Sequence, residues 1–397
     1  MVLPGTFWQV QLINTIKQLG HEVLLVNPVN NYGVYELADD FLASDIFDID
    51  KLEEYAKCNR VEAVISDECD IAVPVVAELG SRLNLKTLSC EAGALFSNKY
   101  RMCDFSEKIG LRTIEHRLCA SPEQVIQFLF DLGKPVIIKP IDSSSSRGVF
   151  RVETEQDVRE HFDECLSFSR TEQVILAERY ISGTEFTVDG VKTPEGHYTL
   201  AISEKKHFQH NNNIANELYF THSNPKYDYG RLKEVNDRFI MNSPLQFGLT
   251  HAEYKYEDGE FFLIEIAARG GGNQISSLIA PFMSGRDSYE YLINCSLGKE
   301  MSADFTVKDE CLNRAAVLKF FETPSTGGRV KEILGLDVLE AETDVKAYDL
   351  YCKKGDVIHA ARNDSDRIGY YIACSEDEET LRSVMRRIEE NFRIIVE

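Results

Sequence analysis

The stretch at residues 251–273, HAEYKYEDGEFFLIEIAARGGGN, constrains the fold more than any other part of the chain. Two runs rich in Tyr, Phe, Leu and Ile flank Asp258-Gly259, a dipeptide suited to the left-handed backbone of a hairpin turn. A β-hairpin running into a glycine-rich turn is therefore expected. Its register decides its chemistry. A three-residue loop, Asp258-Gly259-Glu260, sets Glu253 across from Glu265. A two-residue loop sends the two carboxylates to opposite faces, because a slip of one residue flips every side chain. The three-residue reading also puts Leu263 on the face of Glu265, an apolar shelf beside two acids. Facing carboxylates repel unless a cation sits between them, and Mg²⁺ bound to phosphate oxygens is a common solution. Arg269 follows, then Gly270-Gly271-Gly272 before a helical pattern near Ile275. Glycines at a turn into a helix leave backbone N–H groups bare for an anion such as a carboxylate. Taken alone, the stretch is equally a solvated acidic hairpin with a loop arginine.

At 397 residues the chain exceeds one ordinary core and fits two to four domains or subdomains. A net charge of −22 argues against nucleic acid or an anionic membrane as the main partner. No apolar run is long enough to span a bilayer, and the first residues, MVLPGTFWQVQL, lack the pattern of a secretory signal. Ten cysteines occur without a C-x-x-C pair, so neither a zinc knuckle nor a redox motif is expected. Free thiols in so long a chain point to a reducing cytoplasm, and none is assigned to catalysis.

Residues 1–95 alternate in βα fashion: a helix at 9–19 closed by Gly20, a buried strand at 22–27, a strand at 63–66 and a helix at 71–79 closed by Gly80. This predicts a parallel doubly wound sheet. A G-x-G-x-x-G fingerprint is missing, so the region is expected to be a scaffold with some substrate contact at its strand ends. Ser97 is the expected N-cap of a helix carrying Lys99. PVIIKP, at 135–140, is a strand ending at Lys139 that feeds the loop Ser143-Ser144-Ser145-Ser146-Arg147-Gly148. Hydroxyls, bare amides and a glycine there suit phosphates, although the loop is no Walker motif. VILAERYISG, at 174–183, is a strand that stops at a glutamate and an aromatic and then bends, offering main-chain groups to a planar base. Glu185 opens the next strand, a position from which it is expected to reach ribose hydroxyls. Residues 203–227, with Lys205, Lys206, His207, His210 and His222, read as a polar insertion and a mobile loop closing over substrate. Past Leu297-Gly298, strands at 315–321, 344–351, 369–375 and 393–396 and a helix at 380–392 suggest a small α+β subdomain with no evident chemistry of its own.

Lys99, VIIKP with its Ser/Gly loop, AERYISGTEFTVDG and the HAEYKY…LIEIAAR hairpin occur in the order and spacing of the ATP-grasp superfamily. The chain resembles its carboxylate–amine ligase branch, and most of all the L-amino acid (dipeptide) ligases. The resemblance covers nearly the whole chain and implies an α/β ATP-grasp fold. It implies a doubly wound N-terminal domain at 1–95, a helical connection at 96–134, a lid at 135–190, a core with the metal hairpin at 191–310, and an α+β C-terminal subdomain at 311–397. It further implies ATP with Mg²⁺ or Mn²⁺, a small-molecule carboxylate and amine as substrates, no nucleic-acid or membrane partner, and a homodimer.

Carried over by motif, Lys99 and Lys139 hold ATP phosphates together with Ser145, Ser146 and Gly148. Glu178, Arg179, Tyr180 and Ile181 form the adenine hinge with Leu263 as the apolar shelf, and Glu185 binds ribose. Glu253 and Glu265 hold the metal. Arg269 meets the reacting carboxylate beside Gly271, Gly272 and Asn273, and shares catalysis with Lys139. His222, in the H-x-x-P element HSNP, lies near the substrate. Many relatives read E-x-N-P-R where this chain has Glu265-Ile266-Ala267-Ala268-Arg269, so Ala267 withdraws a ligand from a second metal. The amino-acid ligases resembled here also read E-x-A-A-R. The implied reaction activates a carboxylate as an acyl phosphate and joins it to an amine. The alternatives are an ATP-grasp enzyme with another acceptor (bicarbonate, a thiol or a purine-pathway intermediate) and a catalytically silent nucleotide-binding protein.

Overall fold

A computed structural model describes residues 1–29, 33–299, 303–322 and 327–397. At the N-terminus Leu24–Asn27 pairs in parallel with Asp40–Ala43, and Val2 bridges Leu25 and Ile65, also in parallel. Helices Val10–Gln18, Ile49–Cys58 and Val73–Leu83 cover this small sheet, as βα alternation requires. Gly20, at φ 82°, ends the first helix as expected. Gly80 does not end the third: the helix runs on to Leu83 and stops at Asn84, at φ 54°. A Cβ on Gly80 would lie 2.1 Å from Thr87 Oγ1, so the glycine there serves close packing rather than termination.

Four antiparallel strands form a second sheet in the order His116–Cys119, Ile175–Arg179, Val136–Pro140, Phe150–Val152. Helices Pro122–Leu132 and Glu155–Ser167 bury Val125, Phe128 and Phe162 against it. This layer starts earlier than the 135–190 expectation, because His116–Cys119 pairs with Ile175–Arg179. It also ends earlier. Glu185–Lys192 leaves at a bend where Gly183 passes so close to Tyr256 that a Cβ would lie 1.5 Å from its carbonyl oxygen.

The largest sheet has eight strands: Glu260–Ala267, Gly248–Glu257, Glu185–Lys192, His197–Phe208, Asn211–Phe220, Ala315–Phe320, Gly369–Ser375 and Val345–Leu350. The C-terminal strands thus extend the central sheet. Residues 203–227, expected to be a mobile loop, are mostly two of its longest strands, His197–Phe208 and Asn211–Phe220. Ala201, Phe208, Ile214, Leu218 and Phe220 lie in the main core, and this burial outweighs the polar composition of the segment. The helix bearing Lys99 is capped by Asn98, whose side chain accepts from Arg101 N; Ser97 turns back to the Gly93 carbonyl. No helix among the described residues is long and apolar enough to cross a membrane.

Candidate active site

The hairpin closes through a two-residue turn, with Asp258 and Gly259 at φ 52° and 88° and Glu257 paired with Glu260. That turn alone would separate the two acids. An extra residue in the returning strand restores them: Tyr254 pairs with Leu263 but Glu253 pairs with Glu265, leaving Ile264 as a β-bulge. Glu253 and Glu265 consequently line one cavity. The bulge also changes the apolar shelf. Ile264 lines the cavity in place of Leu263, which packs against the core containing Phe186, Tyr254 and Phe261.

The cavity encloses about 830 Å³ and draws walls from the four-stranded lid sheet, the central sheet, N-terminal segments around Trp8 and Asp70, and the C-terminal region. Eight lysines and arginines face eight acids in its lining, so it is near neutral within a chain of net charge −22. A polyanion meets far less repulsion there than on the outer surface.

Glu185, Glu253 and Glu265 each already hold an ammonium. Lys99 Nζ lies 2.7 Å from Glu265 Oε1 and donates to the Ser143 carbonyl at 2.6 Å. Lys205 Nζ bridges Glu185 and Glu253, 2.7 Å from each. Burial works against the charge on Lys205, yet the two carboxylates push its pKa above the usual lysine value. Burial likewise opposes ionisation of Glu185, and Lys205 and His207 overcome it to hold the carboxyl down at about 2. Lys139 is buried with Glu178 Oε2 at 2.5 Å; desolvation is outweighed by Glu178, and its pKa stays above the ordinary value.

Among the described residues no three His, Cys, Asp or Glu side chains converge as a metal group. Two hard carboxylate oxygens facing a phosphate-sized cavity do fit Mg²⁺, which usually takes one or two carboxylates and completes its shell with phosphate and water. Glu253 and Glu265 are those donors.

Ser143 to Ser146 line the cavity, with Ser145 and Ser146 in left-handed backbone at φ 62° and 57°. Ser146 Oγ donates to Asn213 O at 3.3 Å and to Asp364 Oδ2 at 3.5 Å, so the lid tip touches both the central sheet and the C-terminal segment. Gly148, expected at the nucleotide, instead lies where a Cβ would press on Phe168 and Pro140. At the hinge, Arg179 is tied to Glu115 at 2.7 Å and Glu257 at 2.6 Å. Tyr180 N donates to Pro135 O, and Ile181 joins Ile114, Phe262 and Ile264 in a small apolar cluster. Such a slot suits a flat ring. Lys255, which the sequence did not single out, donates to Ile181 O at 3.4 Å and lies over the Tyr180 ring.

Arg269 lines the opposite side of the cavity and is engaged from the N-terminal region. Nε and Nη2 both reach Asp70 Oδ1, at 2.8 and 2.7 Å, and Nη1 donates to Gly270 O at 2.8 Å. Asp67, fully buried, accepts from Gly270 N, Ser276 Oγ and Tyr289 OH at 2.6–2.7 Å. Glu68 sits in left-handed backbone at φ 54° and accepts from Gln274 N at 3.2 Å. Burial, and then Asp67, raise the Glu68 carboxyl well above the usual range. These acids follow the strand expected at 63–66, where contact at strand ends was anticipated, but no motif marked them. Gly272 and Asn273 line the cavity, whereas Gly271 is a point of close approach, where a Cβ would lie 2.4 Å from Asp189 Oδ1.

His222 lies outside the cavity lining. Its Nε2 bonds Met283 O at 2.9 Å and burial lowers its pKa, so the structure gives it a packing position rather than a place at the substrate. The C-terminal subdomain, read as chemically silent, contributes Asp349, Tyr351, Asp364 and Arg367 to the wall. No local sequence signal announces them.

Two stretches of the chain match known protein families. Residues 132–277 match the ATP-grasp domain family, and residues 320–397 match L-amino acid ligase C-terminal domain 2. The fold is a mixed α/β ATP-grasp fold. The L-amino acid ligase of Bacillus licheniformis superposes with a TM-score of 0.84 over 100% of this chain and 98% of that one, at 17% identity. Phosphoribosylglycinamide synthetase of Anaerococcus prevotii superposes with a TM-score of 0.73 over 100% and 98%, at 18% identity. Among curated relatives, dapdiamide A synthase of Enterobacter agglomerans is 25% identical over 46% of this chain and 44% of its own length. The formate-dependent phosphoribosylglycinamide formyltransferase of Chlorobium phaeobacteroides is 24% identical over 47% and 49%. The chain spans about half the length of these curated relatives.

Proposed function

We propose that this ATP-grasp protein is an ATP-dependent carboxylate–amine ligase that activates an amino acid or similar small acid and joins it to an amine, releasing ADP and phosphate. The observation that carries this reading is the convergence, around one cavity, of facing Glu253 and Glu265, the paired ammoniums of Lys99, Lys139 and Lys205, and Arg269. The similarity to dapdiamide A synthase and to an L-amino acid ligase supports it.

In this reading the hinge 178–181 and its apolar cluster seat the base, and Glu185 takes the ribose. Lys99, Lys139 and the serine loop hold the phosphates. Mg²⁺ on Glu253 and Glu265 would supply charge neutralisation between phosphate oxygens. Arg269 orients the acid, whose carboxylate oxygen attacks the γ-phosphorus; a P–O bond forms as the bond to ADP breaks. The acid thereby gains phosphate as its leaving group. The amine nitrogen then attacks the acyl carbon, a C–N bond forms, the C–O bond to phosphate breaks, and the nitrogen gives up a proton. Arg269 stabilises the oxyanion of that second step. Lid contacts from Ser146 exclude water from the acyl phosphate. A cytoplasmic setting is proposed on the ten free cysteines.

Screening acid and amine pairs for ADP release, with product identification, tests the reading. Arg269→Ala sharpens it: acyl transfer should fall by about 10²–10³-fold while nucleotide affinity holds. Weakened ATP binding with normal single-turnover acyl transfer would move Arg269 to the nucleotide, and no ADP release with any pair would remove the ligase reading.

A further inference from the structure

In the proposed ligase Lys99 and Lys139 hold phosphates, whereas Lys205 has no task. It stands at one end of a charged row that crosses three strands. Lys205, on His197–Phe208, lies directly opposite Glu185, and Glu185 lies opposite Lys255 on Gly248–Glu257. Opposed residues share a face of the sheet, and Glu253, two residues before Lys255, shares it as well. All four line the cavity. The Lys205 ammonium spans the row, 2.7 Å from one oxygen of Glu185 and 2.7 Å from one oxygen of Glu253.

This arrangement repeats that of Lys99, whose ammonium rests on Glu265 at 2.7 Å. Both lysine side chains are only 8% exposed. The two acids of the hairpin therefore carry one ammonium each. A bare divalent cation approaching them meets two like charges within a few ångströms, where screening by water is reduced. An ammonium that gives up its carboxylate also needs another anion, because a lysine stranded out of water is costly. A triphosphate leading from the ribose at Glu185 to the hairpin acids satisfies both conditions. Its oxygens bring the metal and accept the ammoniums. Lysine suits such an exchange, being a compact charge with three donors on a flexible stem. Ala267 offers no side-chain ligand, so positive charge beyond one metal ion has to come from side chains such as these.

We propose that Lys205 is a further triphosphate-binding residue that occupies Glu253 until the nucleotide arrives. Metal and triphosphate then enter together: the metal takes Glu253, and the ammonium turns to a phosphate oxygen while it stays anchored on Glu185. The hairpin acids by themselves are a poor site for a free divalent ion. This rests on the nucleotide and metal part of the proposed function, and not on which acid or amine is joined.

The experiment uses Mn²⁺ as the probe, followed by electron paramagnetic resonance, and β,γ-imido-ATP as the nucleotide, followed by calorimetry. Lys205→Met should bind free Mn²⁺ about 10-fold more tightly than wild type and β,γ-imido-ATP about 10-fold more weakly. A purely structural lysine would not move the two affinities in opposite directions. Adding Glu253→Gln to Lys205→Met should abolish the gained Mn²⁺ site, which locates it on the hairpin. The double variant Lys205→Met, Glu185→Gln leaves no acid stranded on Glu185's strand; it should keep the gain in Mn²⁺ affinity and decides the matter if circular dichroism shows Lys205→Met alone to be unfolded. Free Mn²⁺ bound by wild type as tightly as by these variants, an unchanged affinity for β,γ-imido-ATP in folded Lys205→Met, or a fall of both affinities together would overturn the assignment. Wild type that takes up no Mn²⁺ even with β,γ-imido-ATP removes the metal role of the acids and this proposal with it. Absence of ADP release from every acid and amine pair, with the Mn²⁺ pattern as expected, sinks the ligase chemistry and leaves Lys205 in place.

Discussion

Two hairpins of the central sheet meet in one ion pair, Glu253 to Lys205 at 2.7 Å, yet they differ in how they are specified. The hairpin of Gly248–Glu257 and Glu260–Ala267 turns on Asp258-Gly259, both left-handed, and its strands are rich in aromatic residues. The hairpin of His197–Phe208 and Asn211–Phe220 turns at residues 209–210, Gln-His, and carries three consecutive asparagines. One is written in local turn chemistry; the other is held by core packing and by cross-strand charge, as where Lys206 pairs with Glu217. The site needs both. The first supplies the acids and the second the cation between Glu253 and Glu185, so half of the charge arrangement came from a segment with no local signature.

The largest effect should come from breaking the acid pair. Glu265→Gln should lower turnover by roughly 10³-fold or more without unfolding the hairpin, and Glu253→Gln should do so less severely. ADP formation against Mg²⁺ concentration, with circular dichroism as the fold control, reads this. Wild-type rates with unchanged Mg²⁺ dependence would remove the metal role from the hairpin.

On the second hairpin, Lys205→Met leaves the partly buried Glu185 and Glu253 without their shared ammonium. Removing one partner of a buried pair costs roughly 3 kcal/mol, to be seen in urea unfolding, and a loss below ~0.5 kcal/mol would show that solvent reaches these acids.

Glu217 separates the second hairpin's own stability from the site. Burial opposes its ionisation, but Lys319 and Lys206, each 2.6 Å away, hold the carboxyl below its ordinary value. The folded pKa is depressed, so this stabilisation is present above the unfolded value near 4.5 and is lost as pH falls through the folded one. Glu217→Gln should be less stable at pH 7 by roughly 1–3 kcal/mol and lose less of its stability on acidification. Parallel stability–pH curves for wild type and variant would contradict the pairing.

The smallest effect belongs to the turn. A Cβ on Gly259 would touch nothing within 4 Å, so Gly259→Ala meets only the strain of φ 88°. It should cost about 1 kcal/mol in thermal unfolding. A neutral result would show that the bulge at Ile264 and the sheet, rather than the turn, fix the register.

Most of the fold class was legible because its signals are local. Helix stops such as Gly20, the Asp258-Gly259 turn and the order of the lysine, serine-loop and acid motifs each occupy a few adjacent residues. Misreadings arose where distant parts of the chain decide. The loop length of the acid hairpin was misjudged, and the two acids still face each other because a bulge at Ile264 adds the missing residue. His222 matched a motif but is consumed by the Met283 carbonyl. Gly80 ended a helix on paper and passes Thr87 in space.

By itself, then, the sequence determined the α/β class, the acid hairpin with its trailing arginine, and the lysines at the ends of their elements, since backbone propensity and short spacing carry those. Only the tertiary structure decided that Ile264 replaces Leu263 in the cavity, that Asp67, Glu68 and Asp70 clamp the glycine turn, and that Arg367 enters from the C-terminal subdomain. The clamp on the glycine turn joins residues roughly 200 positions apart, and burying a charged group far from its partner in sequence leaves no trace in local pattern until the sheets close around it.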